Sequence, residues 1–169
     1  MLKELVRDIP DFPKKGIVFK DITPLLHNPA SLKEIVDKIS DHYTGQEIDV
    51  IVGAEARGFL IGPAVAIRLS AGFVPVRKPG KLPYKTESMT YQLEYGTDTL
   101  EIHKDAIKPG DNVLMVDDLL ATGGTMAACC KLVESLGGKI VGCTFIIELT
   151  FLQVKNLLSK YDVFSLIQY

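Results

Sequence analysis

Five short apolar runs punctuate this chain, over residues 48–52, 73–76, 113–116, 140–147 and 163–167, and helical patterns separate several of them. Strands that are almost wholly apolar, rather than alternating, must be covered on both faces. The pattern therefore demands an α/β fold, a mainly parallel sheet flanked by helices. Asn28-Pro29 reads as an N-cap with proline in the first helical turn, and Leu32, Ile35, Val36, Ile39 and Tyr43 recur on one face until Gly45 ends the helix. Residues 58–69 form an apolar segment of helical length, and 125–136 a helix closed by Gly137-Gly138. A length of 169 residues suits one domain over 1–169.

Two regions depart from that rhythm. KPGKLPYKTES, residues 78–88, holds three lysines, two prolines and a glycine without apolar periodicity, as a long exposed loop does. Beyond it, residues 91–95 and 99–103 flank Gly96 and predict an antiparallel hairpin arm.

The formal charge of −2, with no block of Lys or Arg, argues against a nucleic-acid partner, so an anionic ligand needs local basic groups. The N-terminal stretch lacks a signal-peptide core, and no run of about 18 uncharged apolar residues could span a bilayer. A cytoplasmic protein without membrane contact is expected. Cys129, Cys130 and Cys143 are odd in number, with no CxxC pair, and read as buried free thiols. His27, His42 and His103 show no evident partners in the sequence and receive no role.

The most informative stretch is VLMVDDLLATGGT, residues 113–125. Successive side chains on a strand point to opposite faces, so two adjacent acids on a central strand cannot both reach solvent. Placing Asp117 and Asp118 at the carboxyl end of the strand, where a crevice opens, avoids leaving a carboxylate unpaired in the interior. After them, Ala121, Thr122, Gly123, Gly124 and Thr125 offer successive backbone N–H groups in a turn whose glycines permit positive φ, leading into a helix N-terminus. Such a turn cradles phosphate, and the hydroxyls of Thr122 and Thr125 add donors. Two acids beside a phosphate are tolerable if they accept hydrogen bonds from sugar hydroxyls, and a ribose 5-phosphate satisfies every group. The chain lacks the lysine a P-loop requires after its second glycine, and no GxGxxG follows a strand. The plainer alternative, an acidic strand end with a Gly-Thr helix cap, leaves the doubled acid and doubled glycine unexplained.

Apolar strand, Asp-Asp and Thr-Gly-Gly-Thr together resemble the phosphoribosyl diphosphate (PRPP) signature of the type I phosphoribosyltransferases. VDDLLATGGTM is similar to the adenine phosphoribosyltransferase version, and the likeness extends to FPKKGIVFKDITPLL, GAEARGF, RKPGKLP and YQLEYG. The resemblance implies a small N-terminal hood over 1–27, a flexible catalytic loop over 78–100, and transfer of phosphoribosyl from PRPP to adenine with AMP and diphosphate as products. It implies that Asp117 and Asp118 hold the ribose 2- and 3-hydroxyls while residues 121–125 bind the 5-phosphate. Glu55, Ala56 and Arg57, with a cis peptide between the first two, and Arg77, Lys78 and Lys81 would bind diphosphate. The family's commoner pattern has Asp-Ser where this chain has Glu55-Ala56. Glu94 and Tyr95 join Arg57 as catalytic residues, Glu94 handling a proton at the purine imidazole and Tyr95 closing over the reacting centre. Val18 and Lys20 would meet adenine largely through backbone atoms, Phe19 by stacking, and Leu149 from the other side. Mg²⁺ is the implied cofactor, held mainly by PRPP and water with no direct protein ligand set, and a homodimer is the implied assembly. Two other readings remain open: transfer to a different purine, and a non-catalytic PRPP-binding regulator.

Overall fold

The computed structural model describes residues 1–93, 96–152 and 157–169. After a 3-10 turn at Leu2–Leu5 the chain forms β1 (Arg7–Pro10), β2 (Val18–Asp21), α1 (Thr23–His27) and α2 (Pro29–His42). Next come β3 (Val50–Ala54), a 3-10 turn Arg57–Leu60, α3 (Gly62–Leu69) and β4 (Gly72–Val76). The arm is β5 (Thr86–Gln92) with β6 (Thr97–His103), followed by β7 (Asn112–Leu120), α4 (Gly124–Ser135), β8 (Lys139–Glu148), a 3-10 turn Thr150–Leu152 and β9 (Val163–Gln168).

The central sheet runs β4-β3-β7-β8-β9 with every neighbouring pair parallel, which is the mainly parallel α/β architecture that the apolar runs demand. Period-two alternation divides the interior into two cores. Ile51, Leu114 and Val116 pack with Ile35, Ile39 and Val65 of α2 and α3 on one face. Val52, Val113 and Met115 pack with Cys129, Leu132 and Val133 of α4 on the other. Each fully buried aliphatic side chain contributes about 1.5–3 kcal/mol relative to exposure, so the two-sided cover holds the sheet.

Asn28 caps α2 as its sequence suggests, its side-chain oxygen accepting the N–H groups of Ala30 and Ser31 at 2.9 and 3.1 Å. The segment 58–69 is not one helix. Pro63 has no N–H to donate and belongs in a first turn, so α3 starts at Gly62 and the residues before it tighten into the 3-10 turn. The arm begins earlier than the sequence suggests, at Thr86, because β5 pairs with β6 in register all the way to Thr86↔His103. The three cysteines are buried and free, with Sγ of Cys130 and Cys143 3.6 Å apart. Two histidines do find partners, far away along the chain and so invisible in the sequence: the His42 ring stacks on Phe164 at 3.8 Å, and His103 Nε2 accepts the Tyr84 N–H at 3.3 Å.

Candidate active site

The strand β7 continues through both acids to Leu120, further than its apolar run. Its pairing with β3 stops at Gly53↔Val116, while its pairing with β8 persists to Leu120↔Glu148. One flank of β7 therefore opens at Asp117, at the carboxyl end of a parallel sheet where ligands of such folds bind. Asp118 is only 4% exposed, and its carboxylate takes Arg57 Nε at 2.8 Å. The carboxylate of Asp117 accepts the Asp118 N–H at 2.9 Å. Burial pushes the Asp117 carboxyl well above the usual carboxylate range, and the adjacent Asp118 charge pushes the same way. Burial raises Asp118 too, against the opposing pull of Arg57.

Behind the acids the chain turns into α4. Only Gly123 uses the left-handed region, at φ 81°; Gly124 is the first residue of α4. The sequence predicts that freedom for both glycines, but one inverted residue suffices to aim the helix N-terminus. The first N–H groups of α4 have no acceptor within the helix. They belong to residues lining a cavity of about 490 Å³ that also contains both acids.

Arg57 also lines this cavity, on the turn that follows a cis peptide between Glu55 and Ala56. Gly58 lets that turn approach β7: an added Cβ would lie 2.9 Å from the Val116 carbonyl oxygen and 3.3 Å from Asp117 Oδ1. Only glycine fits such a close backbone approach.

The Glu55 side chain faces cations. Its carboxylate accepts the Lys78 N–H at 2.8 Å, Arg77 Nε at 3.1 Å and Lys81 Nζ at 2.6 Å. Burial alone would raise its carboxyl, but these donors outweigh that and hold it below the usual range. Glu55 thus anchors the root of the basic loop, and a carboxylate so engaged is no ligand for an anion. Lys78 Nζ pairs with Asp98, which that contact chiefly holds below the usual carboxylate range. The Tyr91 hydroxyl donates to Asp98 at 3.3 Å and shares a 3.2 Å hydrogen bond with Thr125 Oγ1, so the arm rests on the turn into α4.

The structure thus gathers Glu55, Ala56, Arg57, Lys78, Asp117, Asp118 and residues 121–125 around one cavity. Arg77 and Lys81 instead sit on Glu55 at its edge. Glu94 and Tyr95 lie outside the described residues. Val18, Phe19 and Lys20 are on β2, and the Phe19 ring lies 5.2 Å from the Arg57 guanidinium carbon. Phe19 and Arg57 share a second, apolar cavity of about 510 Å³. Leu149 follows β8, its N–H donating to the Leu120 carbonyl at 2.9 Å. Asp98 and Tyr91 also line the first cavity and were not singled out from the sequence. They are cross-strand partners, whereas a hairpin turn centred on Gly96 would set Tyr91 opposite Glu101.

Two adjacent acids, a helix N-terminus, an arginine and a lysine around one cavity of a parallel α/β sheet form the set of acceptors and donors that a sugar phosphate calls for. A phosphoribosyl transferase domain matches residues 21–167, and the chain belongs to that family. Adenine phosphoribosyltransferase of Trichlorobacter lovleyi is 62% identical over 168 residues, covering 99% of this chain and 98% of the relative. The crystal structure of adenine phosphoribosyltransferase from Thermoanaerobacter pseudethanolicus superposes with a TM-score of 0.96 at 55% identity, covering 99% of this chain and 98% of that one. The Saccharomyces cerevisiae enzyme, solved with an imino-altritol bisphosphate and adenine, gives a TM-score of 0.92 at 44% identity, covering 98% of this chain and 96% of that one.

Proposed function

We infer that this protein is an adenine phosphoribosyltransferase, transferring phosphoribosyl from PRPP to adenine to give AMP and diphosphate in purine salvage. The observation that carries the reading is the convergence of Asp117, Asp118, Arg57 and the 121–125 cradle on one cavity at the carboxyl end of the sheet. In this reading Asp117 and Asp118 accept the ribose hydroxyls, and the N–H groups opening α4 take the 5-phosphate. Arg57 and Lys78 meet the diphosphate, whose charge grows as its bond to the anomeric carbon breaks. Donors fixed in advance act most strongly on that growing charge. The pattern around Glu94 and Tyr95 assigns them the purine proton and the closure over the reacting centre. Val18, Phe19, Lys20 and Leu149 form the adenine subsite, and Arg57, in contact with both Asp118 and Phe19, joins it to the PRPP subsite.

Mg²⁺ fits this donor set as a PRPP-borne ion. The described residues contain no group of three or more His, Cys, Asp or Glu able to hold a metal, whereas Asp117 and Asp118 offer oxygens beside the expected ribose position. Asp117 and Asp118 would stand beside such an ion, which would supply Lewis-acid stabilisation of the charge gathering on the diphosphate. Phe12 and Leu60, each about half exposed around the apolar cavity, support a homodimer in which a second copy covers them. A cytoplasmic setting agrees with the three free thiols, and no helix of the described residues is long and apolar enough to cross a membrane.

Purified protein incubated with PRPP, Mg²⁺ and radiolabelled bases tests the reading, with adenine consumed far faster than hypoxanthine or guanine as the expected result. Preference for a 6-oxo purine would overturn the base assignment. PRPP binding without turnover of any base would favour the regulator.

A further inference from the structure

The adenine subsite is split between two distant parts of the chain, the hood strand β2 with Val18, Phe19 and Lys20, and Leu149 after β8. Something must fix their separation. The residue in position to do so is Tyr169. Its backbone belongs to the Leu149 side: the Tyr169 N–H donates to the Glu148 carbonyl at 3.0 Å, and its carbonyl accepts the Thr150 N–H at 2.9 Å and the Thr150 hydroxyl at 2.6 Å. Those bonds bracket Leu149 on both sides. The Tyr169 ring belongs to the hood side: Lys20 Nζ lies 3.9 Å from its centroid and Lys3 Nζ 4.3 Å.

Lys20 is unusual for a lysine. Its side chain is only 13% exposed, with Nζ on Asp8 at 2.7 Å and over the Tyr169 ring. A lysine so buried is rare unless partnered. It therefore acts as a peg that fastens β2 down, consistent with a strand that meets adenine through its backbone. Lys3 braces the same ring and donates to the Gln168 carbonyl at 2.6 Å.

We propose that Tyr169 is a positioning residue for the purine: its ring, gripped by Lys20 and Lys3, sets the distance between the hood strand and Leu149 and so controls adenine affinity. The inference rests on the adenine reading and adds to it a residue that touches no substrate. None of the Tyr169, Lys20 and Lys3 contacts is made directly to Asp117, Asp118 or residues 121–125. Tyr169 should therefore matter for the base and be indifferent for PRPP.

Steady-state kinetics of Tyr169→Leu and Tyr169→Phe test this. Leucine keeps apolar packing against the core but removes the ring face, whereas phenylalanine keeps the face and loses only the hydroxyl. Tyr169→Leu should raise KM for adenine about tenfold, as expected for the loss of a partly desolvated cation–π pair of lysines. Its KM for PRPP should stay within about twofold, and Tyr169→Phe should restore the wild-type adenine KM. An active Tyr169→Leu enzyme with unchanged adenine KM, or one in which both KM values rise together, would overturn the inference and leave the function standing. A wild-type protein without adenine turnover would overturn the function and this inference with it.

Discussion

Replacing Asp117 with Asn should make the protein more stable and less able to bind its substrate. Burial and the neighbouring Asp118 both make ionisation of this carboxyl unfavourable, so it is protonated more readily in the folded chain than in the unfolded one. A raised folded value means that stability from this group is full below the unfolded pKa and is lost as pH rises through the folded pKa. Above both, the wild type carries the whole penalty and the Asn variant does not. Asn keeps the shape and still accepts the Asp118 N–H that Asp117 takes at 2.9 Å. Relieving one strained functional charge typically adds about 1–2 kcal/mol, which in a chain of this size raises Tm by roughly 2–8 °C. The loss of charge-assisted hydrogen bonds to the ribose should weaken PRPP by about 1.5–3 kcal/mol, or roughly 10- to 150-fold. Differential scanning calorimetry at about pH 7.5, repeated at about pH 5, should show a stability gap that narrows in acid as the wild-type carboxyl takes up its proton. Titration calorimetry measures the affinity. A variant that melts below the wild type at neutral pH, or whose advantage is the same in acid, would refute the argument from buried like charges.

Glu55→Gln should raise KM for PRPP by roughly tenfold while leaving KM for adenine alone, because an amide holds the Lys81 ammonium and Arg77 guanidinium less well than a carboxylate does; two-substrate kinetics separate the effects. Gly58→Ala should lower kcat/KM by about 10²-fold, since the added carbon would drive the Arg57 turn away from β7, and circular dichroism should show the fold intact. Chelation of Mg²⁺ should stop turnover without moving the Tm of the ligand-free protein, because the ion is expected on PRPP; a shift in that Tm would point to a protein-held metal.

The sheet was legible because its strands are apolar runs with nothing polar to blur them, and the site because Asp-Asp before a Gly-Gly turn has few other uses. What escaped the sequence depends on tertiary distance. The hood strands β1 and β2 are four residues each, too short for periodicity to register. Pro63 divided an apolar segment whose composition suggested one helix. The partnerships of Glu55 with Lys81, Lys78 with Asp98 and Arg57 with Asp118 join residues 26, 20 and 61 apart, and no local pattern announces them. The basic residues of GAEARGF and RKPGKLP could be read as anion ligands from their chemistry, but which carboxylate holds each one while no ligand is bound could not.

Those pairings explain how a cavity built for a highly charged molecule stays folded without it. Asp118 takes Arg57, Glu55 takes Arg77 and Lys81, and Asp98 takes Lys78. A buried carboxylate stripped of its partner is strongly destabilising, so a ligand that only removed Arg57 would leave Asp118 exposed to that penalty. On the proposed roles, inorganic diphosphate alone would do this. On the same roles PRPP would not, because its ribose hydroxyls would reach Asp118 as its diphosphate drew Arg57 away, so that broken pair would be replaced within the same molecule. The reading therefore predicts that the acids and the arginine discriminate as a set, favouring an anion that arrives attached to a sugar, because their adjacency at the open flank of β7 would allow both exchanges in one cavity.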